Sequence, residues 1–216
     1  MTGRPVLYDY WRSSASYRLR IALNLKGIAY EVVPVSLIDR AHKTAAHLAR
    51  NPQGFVPALE IDASTLTQSL AILQYLDTRD PDPRLFPPDP LERARVEAVA
   101  HAVAMDIHPV CNLSVANTAV DWVDGDEAAR TATRLAWMQK FIARGLDAVE
   151  AMVPEPAPYA FGVAPTVADV CLMPQLYNAR RWELDVTRWP KLTRVEAACA
   201  QTDAFARAAP EAVKPE

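Results

Sequence analysis

Ser13 and Ser14 stand where the run Val6-Leu7-Tyr8-Asp9-Tyr10 gives way to Tyr17-Arg18-Leu19-Arg20-Ile21-Ala22-Leu23. The first run reads as a strand and the second as part of a helix over 14–26, stopped by Gly27. At a helix start the free N–H groups and the positive end of the dipole favour an anion, and a serine hydroxyl adds a directed donor. A thiolate would be stabilised there. Serine is strongly preferred as a plain N-cap, and by themselves these residues favour that reading over an anion site.

Two further segments have comparable chemistry. In Asn51-Pro52-Gln53-Gly54-Phe55-Val56-Pro57 the last proline precedes a strand and restricts Val56 to an extended shape, so an extended ligand backbone could pair with the Val56 peptide. An ordinary trans Val56–Pro57 bond is what the two residues predict by themselves. In Gln68-Ser69-Leu70-Ala71-Ile72 a polar pair opens a helix whose Leu70, Leu73 and Leu76 face inward. Ser69 is either another N-cap or a second helix start suited to a carboxylate.

The elements that position these residues change character near residue 80. Five prolines between 81 and 90 cannot continue a helix or a central strand, so this stretch reads as a stiff linker. Residues 1–80 alternate strands at Val6–Tyr10, Tyr30–Val35, Ala58–Ile61 and Thr65–Thr67 with helices at 14–26, near 40–49 and at 69–77. The first β-α-β unit implies a parallel pair and Asp62-Ala63-Ser64 a hairpin, giving a four-stranded mixed sheet with helices in thioredoxin-like order. Residues 91–216 read as all-helical, with helices at 91–119, 126–153, 166–181 and about 189–207 and a frayed tail beyond Arg207.

Composition narrows the function. The 216 residues carry a net charge of −3 with no basic stripe, which argues against a nucleic-acid partner. No apolar run reaches bilayer-spanning length and the first residues do not read as a signal peptide, so neither a membrane nor export is expected and a cytoplasmic location follows. Cys111, Cys171 and Cys199 are an odd number without ligand spacing, and the histidines form no ligand pair, so neither a disulfide nor a metal is assigned.

In the helical half, Pro165-Thr166-Val167-Ala168-Asp169 has the form of a capping box and is read as a folding signal. Asp106-Ile107-His108-Pro109 breaks a long helix at a proline and can turn His108 into a cleft. Arg180 and Arg181 end a helix, where a cation offsets the negative helix terminus. Arg12 has a guanidinium fork suited to a carboxylate.

Taken together, Ser13-Ser14-Ala15-Ser16-Tyr17-Arg18-Leu19-Arg20-Ile21-Ala22-Leu23, Asn51-Pro52-Gln53-Gly54, Val56-Pro57, Gln68-Ser69, Asp106-Ile107-His108-Pro109 and Asn178-Ala179-Arg180-Arg181-Trp182 resemble the zeta class of the glutathione transferase family over nearly the whole chain. The resemblance implies a glutathione transferase fold, glutathione as cofactor and a homodimer. It implies a cis Val56–Pro57 bond, Ser13 facing the glutathione sulfur with Ser14 beside it, and glutathione held by Gln53, Val56, Pro57, Gln68, Ser69 and His108. It also implies glutathione-dependent conversion of maleylacetoacetate to fumarylacetoacetate, with Arg12 and Arg181 orienting the dicarboxylate; maleylpyruvate is the rival substrate and a general transferase the broader alternative. Ala15 stands where the family motif has cysteine, so any mechanism using that thiol is closed to this chain. Cys111-Asn112-Leu113-Ser114 lacks the arginine expected there for a maleylpyruvate enzyme, which favours maleylacetoacetate.

Overall fold

The computed structural model describes residues 3–155 and 157–215. Two compact units divide the chain, one built from the chain up to Leu85 together with the segment from Ala200 onward, the other from Phe86–Cys199.

In the first unit, strands β1 (Val6–Asp9), β2 (Glu31–Pro34), β3 (Ala58–Ile61) and β4 (Ser64–Thr67) form one sheet in the order β2-β1-β3-β4. β1 runs parallel to β2 and antiparallel to β3, and β3 pairs antiparallel with β4, which is the thioredoxin-like arrangement. Alternation along β1 splits its side chains between two faces. Leu7 and its cross-strand partner Leu59 are fully buried, while Tyr8 joins Val35, Val56 and Ala58 in a separate apolar cluster. Helices α1 (Ser14–Leu25) and α3 (Ser69–Arg79) pack together, burying Leu19, Ile21, Ala22 and Leu23 of one and Ile72, Leu73 and Leu76 of the other. The expected helix near 40–49 is instead a 3-10 turn, Ala41–Lys43, followed by a short α2 (Ala45–Arg50). Thr44 divides them because its hydroxyl caps α2, accepting from the His47 N–H at 3.4 Å.

The helical unit contains α4 (Pro90–His101), α5 (Leu113–Asp121), α6 (Glu127–Met152), α7 (Val167–Arg181) and most of α8 (Pro190–Ala200). The single helix expected over 91–119 is two. After α4 the chain widens into a π-helical turn, Ala102–Ile107, in which the His108 N–H bonds five residues back to the Val103 carbonyl at 3.0 Å. Pro109 has no N–H with which to continue an α-helical ladder, and Asn112 caps the fresh start of α5 through the Ser114 N–H. Gly145 of α6 admits this turn: a Cβ there would lie 2.3 Å from Ile107 Cγ1.

The C-terminal segment also departs from expectation. It is not a frayed end of the helical half but packs with the first unit as α9 (Asp203–Ala206) and α10 (Pro210–Val213). Phe205 and Ala208 are fully buried, the Ala204 carbonyl accepts from Asn24 Nδ2 at 3.0 Å, and the Ala208 carbonyl accepts from Arg20 Nε at 2.9 Å. The anchors are two polar side chains of α1 that need acceptors, which no apolar pattern in the tail announces.

Candidate active site

Ser13 leaves β1 through a turn closed by its own N–H, which donates to the Tyr10 carbonyl at 2.8 Å. Its backbone is extended, and its hydroxyl oxygen accepts from the Ser16 N–H at 3.3 Å, so Ser13 is the N-cap of α1 and Ser14 the first helical residue. That oxygen's proton remains available to donate, and both serines are partly exposed. The cap and the anion-facing hydroxyl are therefore compatible roles of one residue.

Arg20 braces the turn from beneath. Fully buried, it donates from Nη1 to both oxygens of the buried Asp9 at 2.8 Å and from Nη2 to the Trp11 carbonyl at 2.8 Å, besides its bond to Ala208. Arg12 stacks on the Trp11 ring with its guanidinium carbon 5.1 Å from the centroid, which holds the fork partly exposed beside Ser13. Sequence reasoning missed Asp9 and Arg20 as supports. The available signal was a charged residue set within the otherwise apolar stretch of α1, which calls for a buried partner.

The Val56–Pro57 bond is cis, as the resemblance implied. The residue before it is fixed by two side chains that the sequence reading also left out. The Phe55 carbonyl accepts from Asn51 Nδ2 at 3.0 Å and lies 2.8 Å from His47 Nε2, so His47 carries a proton on that nitrogen. Asn51 Oδ1 accepts in turn from the Gln53 N–H at 3.2 Å. Gly54 makes the reversal at φ +62, where a Cβ would meet the His42 carbonyl at 2.9 Å. Asn51→Ala removes both of its bonds and leaves the loop's carbonyl underheld. It is expected to weaken glutathione binding by roughly tenfold and to lower stability by about 1–3 kcal/mol, read by titration calorimetry and denaturant unfolding.

Ser69 is the first residue of α3, and its hydroxyl oxygen accepts from Arg18 Nη1 at 3.2 Å, both side chains being buried. Gln68 before it sits at φ +66, a left-handed conformation that costs a non-glycine residue about 1–3 kcal/mol. Its Nε2 donates to Gln53 Oε1 at 2.6 Å, joining two residues that the resemblance assigns to the same ligand.

In the helical unit the two adjacent arginines separate. Arg180 forms a two-pronged ion pair with Glu196 of α8, whereas the Arg181 guanidinium carbon lies 5.0 Å from the centroid of the Trp182 ring on an exposed side chain. His108 follows the π-helical turn and is partly exposed. Asp169 is fully buried in the predicted cap: one oxygen accepts from the Thr166 N–H and hydroxyl at 2.7 and 2.9 Å, the other from the Ala160 N–H at 2.9 Å. Its carboxyl is raised by burial, with those donors working in the opposite direction.

Two of the chain's own thiols are poor nucleophiles. Burial pushes Cys111 up to about 12 and raises Cys199 further, the latter helped by the charges of Asp169 and Glu196. All three cysteines are buried thiols. Among the described residues no group of three His, Cys, Asp or Glu side chains is placed to hold a metal ion, and no helix is long and apolar enough to cross a membrane.

A thioredoxin-like sheet carrying a serine-capped helix and a cis-proline loop, followed in the chain by a helical unit, defines a class of glutathione-dependent protein. Residues 5–78 match the family "Glutathione S-transferase, N-terminal domain". The chain is 56% identical over 218 residues to the maleylacetoacetate isomerase of Rhizobium meliloti strain 1021, covering 100% of each. It is 44% identical, with a TM-score of 0.91 and coverage of 98% and 99%, to a holo structure of maleylpyruvate isomerase described as a bacterial zeta-class glutathione S-transferase. The maleylacetoacetate isomerase of Anaeromyxobacter dehalogenans, solved with dicarboxyethyl glutathione and citrate in its active site, is 42% identical with a TM-score of 0.85 and coverage of 97% and 92%. The chain belongs to the glutathione transferase family, in its zeta class.

Proposed function

We propose that this protein is a glutathione-dependent cis–trans isomerase that converts maleylacetoacetate to fumarylacetoacetate. One observation carries the reading. The Ser13 oxygen is committed as an acceptor at the start of α1, so its proton can face an incoming thiolate, while Cys111 and Cys199 are kept protonated by burial. The nucleophile then comes from outside the chain.

The residues present fit glutathione. The α1 start and the Ser13 hydroxyl suit its sulfur, the Val56–Pro57 peptide its cysteinyl part, and Gln68 and Ser69 its γ-glutamyl end, with Gln53 a further glutathione contact bonded to Gln68. When bound, glutathione supplies a thiolate that adds to the maleyl double bond, lowers its bond order for rotation and leaves again unchanged. The protein's own part is electrostatic and positional. Ser13, with Ser14 beside it, lowers the proton affinity of the bound sulfur through a hydrogen bond and the positive helix end. Arg12 pairs with a substrate carboxylate through its two-pronged face, as Arg181 does with a carboxylate group in its turn. His108 contributes a polar contact to glutathione. None of these groups forms a covalent bond.

Arg181→Ala is expected to lower kcat/KM for isomerisation by tenfold or more with glutathione affinity unchanged, because it removes a charge-assisted contact to the substrate together with the Trp182 ring contact, and none assigned to glutathione. Arg180→Ala removes only the pair with Glu196 and is expected to cost at most about 1 kcal/mol of stability, with activity retained. Equal activity in the two variants overturns the substrate role of Arg181. The deciding experiment offers the protein and glutathione both maleylacetoacetate and maleylpyruvate; the ratio of kcat/KM measures which transition state is better stabilised. A preference for maleylpyruvate replaces the substrate, and turnover of neither favours a general transferase. The reading also includes a homodimer, checked by sedimentation, and a cytoplasmic location, which the three reduced cysteines support.

A further inference from the structure

We propose that Arg18 is a positioning residue for glutathione recognition: it holds the Ser69 hydroxyl as a donor aimed at the γ-glutamyl carboxylate and thereby sets selectivity for ligands that carry one. This rests on the reading of Ser69 as part of the glutathione site.

Arg18 lies on α1 and Ser69 on α3, with side chains 3.2 Å apart and residues only 2% and 6% exposed. A guanidinium has donors and no acceptor, so in this contact the serine oxygen accepts. Its single proton must therefore serve another acceptor. A hydroxyl that accepts from a cation is polarised and becomes a better donor, the more so where water is scarce. Ser69 is also the first residue of an 11-residue helix with no acidic side chain in its first turn, so the orphan amides there add to the same field. A carboxylate meeting the Ser69 hydroxyl would meet the helix end and the field of a buried cation together.

Gln68 supplies the other half of an amino-acid end. Its amide nitrogen is engaged with Gln53 Oε1 at 2.6 Å, so its carbonyl oxygen is the atom able to accept from an ammonium group. A hydroxyl donor and an amide acceptor on adjacent residues match the carboxylate and ammonium on the single α-carbon of a γ-glutamyl group. A ligand lacking that group gains nothing from Arg18. A mere tie between α1 and α3 would affect all ligands alike.

The test measures dissociation constants by calorimetry on the full chain, for glutathione and for cysteinylglycine, which keeps the thiol and the glycyl carboxylate but lacks the γ-glutamyl group. The variants are Ser69→Ala, Arg18→Met, their combination, and Arg18→Lys. Arg18→Met is expected to weaken glutathione roughly 10- to 100-fold and leave cysteinylglycine unchanged. Ser69→Ala should do the same, and the double variant should lose little more than either alone. Arg18→Lys, which keeps a buried cation and so remains informative should the apolar variant not fold, should retain part of the selectivity. Equal weakening of both ligands by the Arg18 variants, or full additivity with Ser69→Ala, overturns the role of Arg18. Unaltered selectivity in Ser69→Ala overturns the reading of Ser69 itself and the proposal with it.

Discussion

Ser13→Ala is expected to lower kcat/KM for glutathione-dependent isomerisation by roughly 10- to 100-fold, the value of a hydrogen bond to a charged partner. The same change should cost about 1 kcal/mol of stability, because the Ser13 oxygen also caps α1 through the Ser16 N–H. The two losses have different signatures. Loss of the cap lowers the unfolding midpoint and leaves each folded molecule as active as before. Loss of the donor returns the bound thiol toward its free value near 8.5, so the thiolate absorbance of the complex should titrate at higher pH than in the parent protein. Ser14→Ala, altering a residue inside the first turn rather than the cap, should show a smaller shift of the same kind. An unshifted titration with full activity in Ser13→Ala would reduce that residue to a cap.

The sheet order was legible because its strands are short, apolar and separated by turn or helix signals, and the hairpin at Asp62–Ala63 appears where expected, with both residues at positive φ. Ser13, Val56, Pro57, Gln68 and Ser69 were legible as a set, since each sits at a helix start or before a strand where backbone groups are unsatisfied. Their roles toward a ligand came only from the resemblance. The partners of the groups that hold them could not be read. Arg18, Arg20 and Asn24 share one helix with an apolar core, and only the fold shows that their acceptors are a serine 51 residues away and carbonyls 188 and 180 residues away. The tail failed for the same reason: its anchoring is through backbone carbonyls, which every sequence possesses. Arg180 and Arg181 are equivalent in composition, and the Glu196 carboxylate, 16 residues on, distinguishes them.

Asp169→Ala should be the most destabilising single change in the helical unit and nearly silent in catalysis. It strips the acceptor from the Thr166 N–H, the Thr166 hydroxyl and the Ala160 N–H in a site with no exposure. A lost cap costs about 1–2 kcal/mol and a stranded buried donor about 1–3, so a total of roughly 2–4 kcal/mol is expected. For a chain of this size that corresponds to a midpoint lower by about 5–15 °C, measured by calorimetry. Folded variant should retain kcat/KM within about twofold; a larger loss at temperatures well below its midpoint would place Asp169 in the chemistry. The pH dependence gives a second check. Burial raises the carboxyl in the folded chain above its unfolded value, so the folded state binds the proton more tightly. Its contribution to stability is fully present below the ordinary aspartate range and is lost as pH rises through the raised value. Asp169→Asn abolishes that slope while keeping one acceptor oxygen. The stability of the parent should therefore fall relative to that of Asp169→Asn as pH rises through that window, and parallel curves would show that the carboxyl titrates as in the unfolded chain.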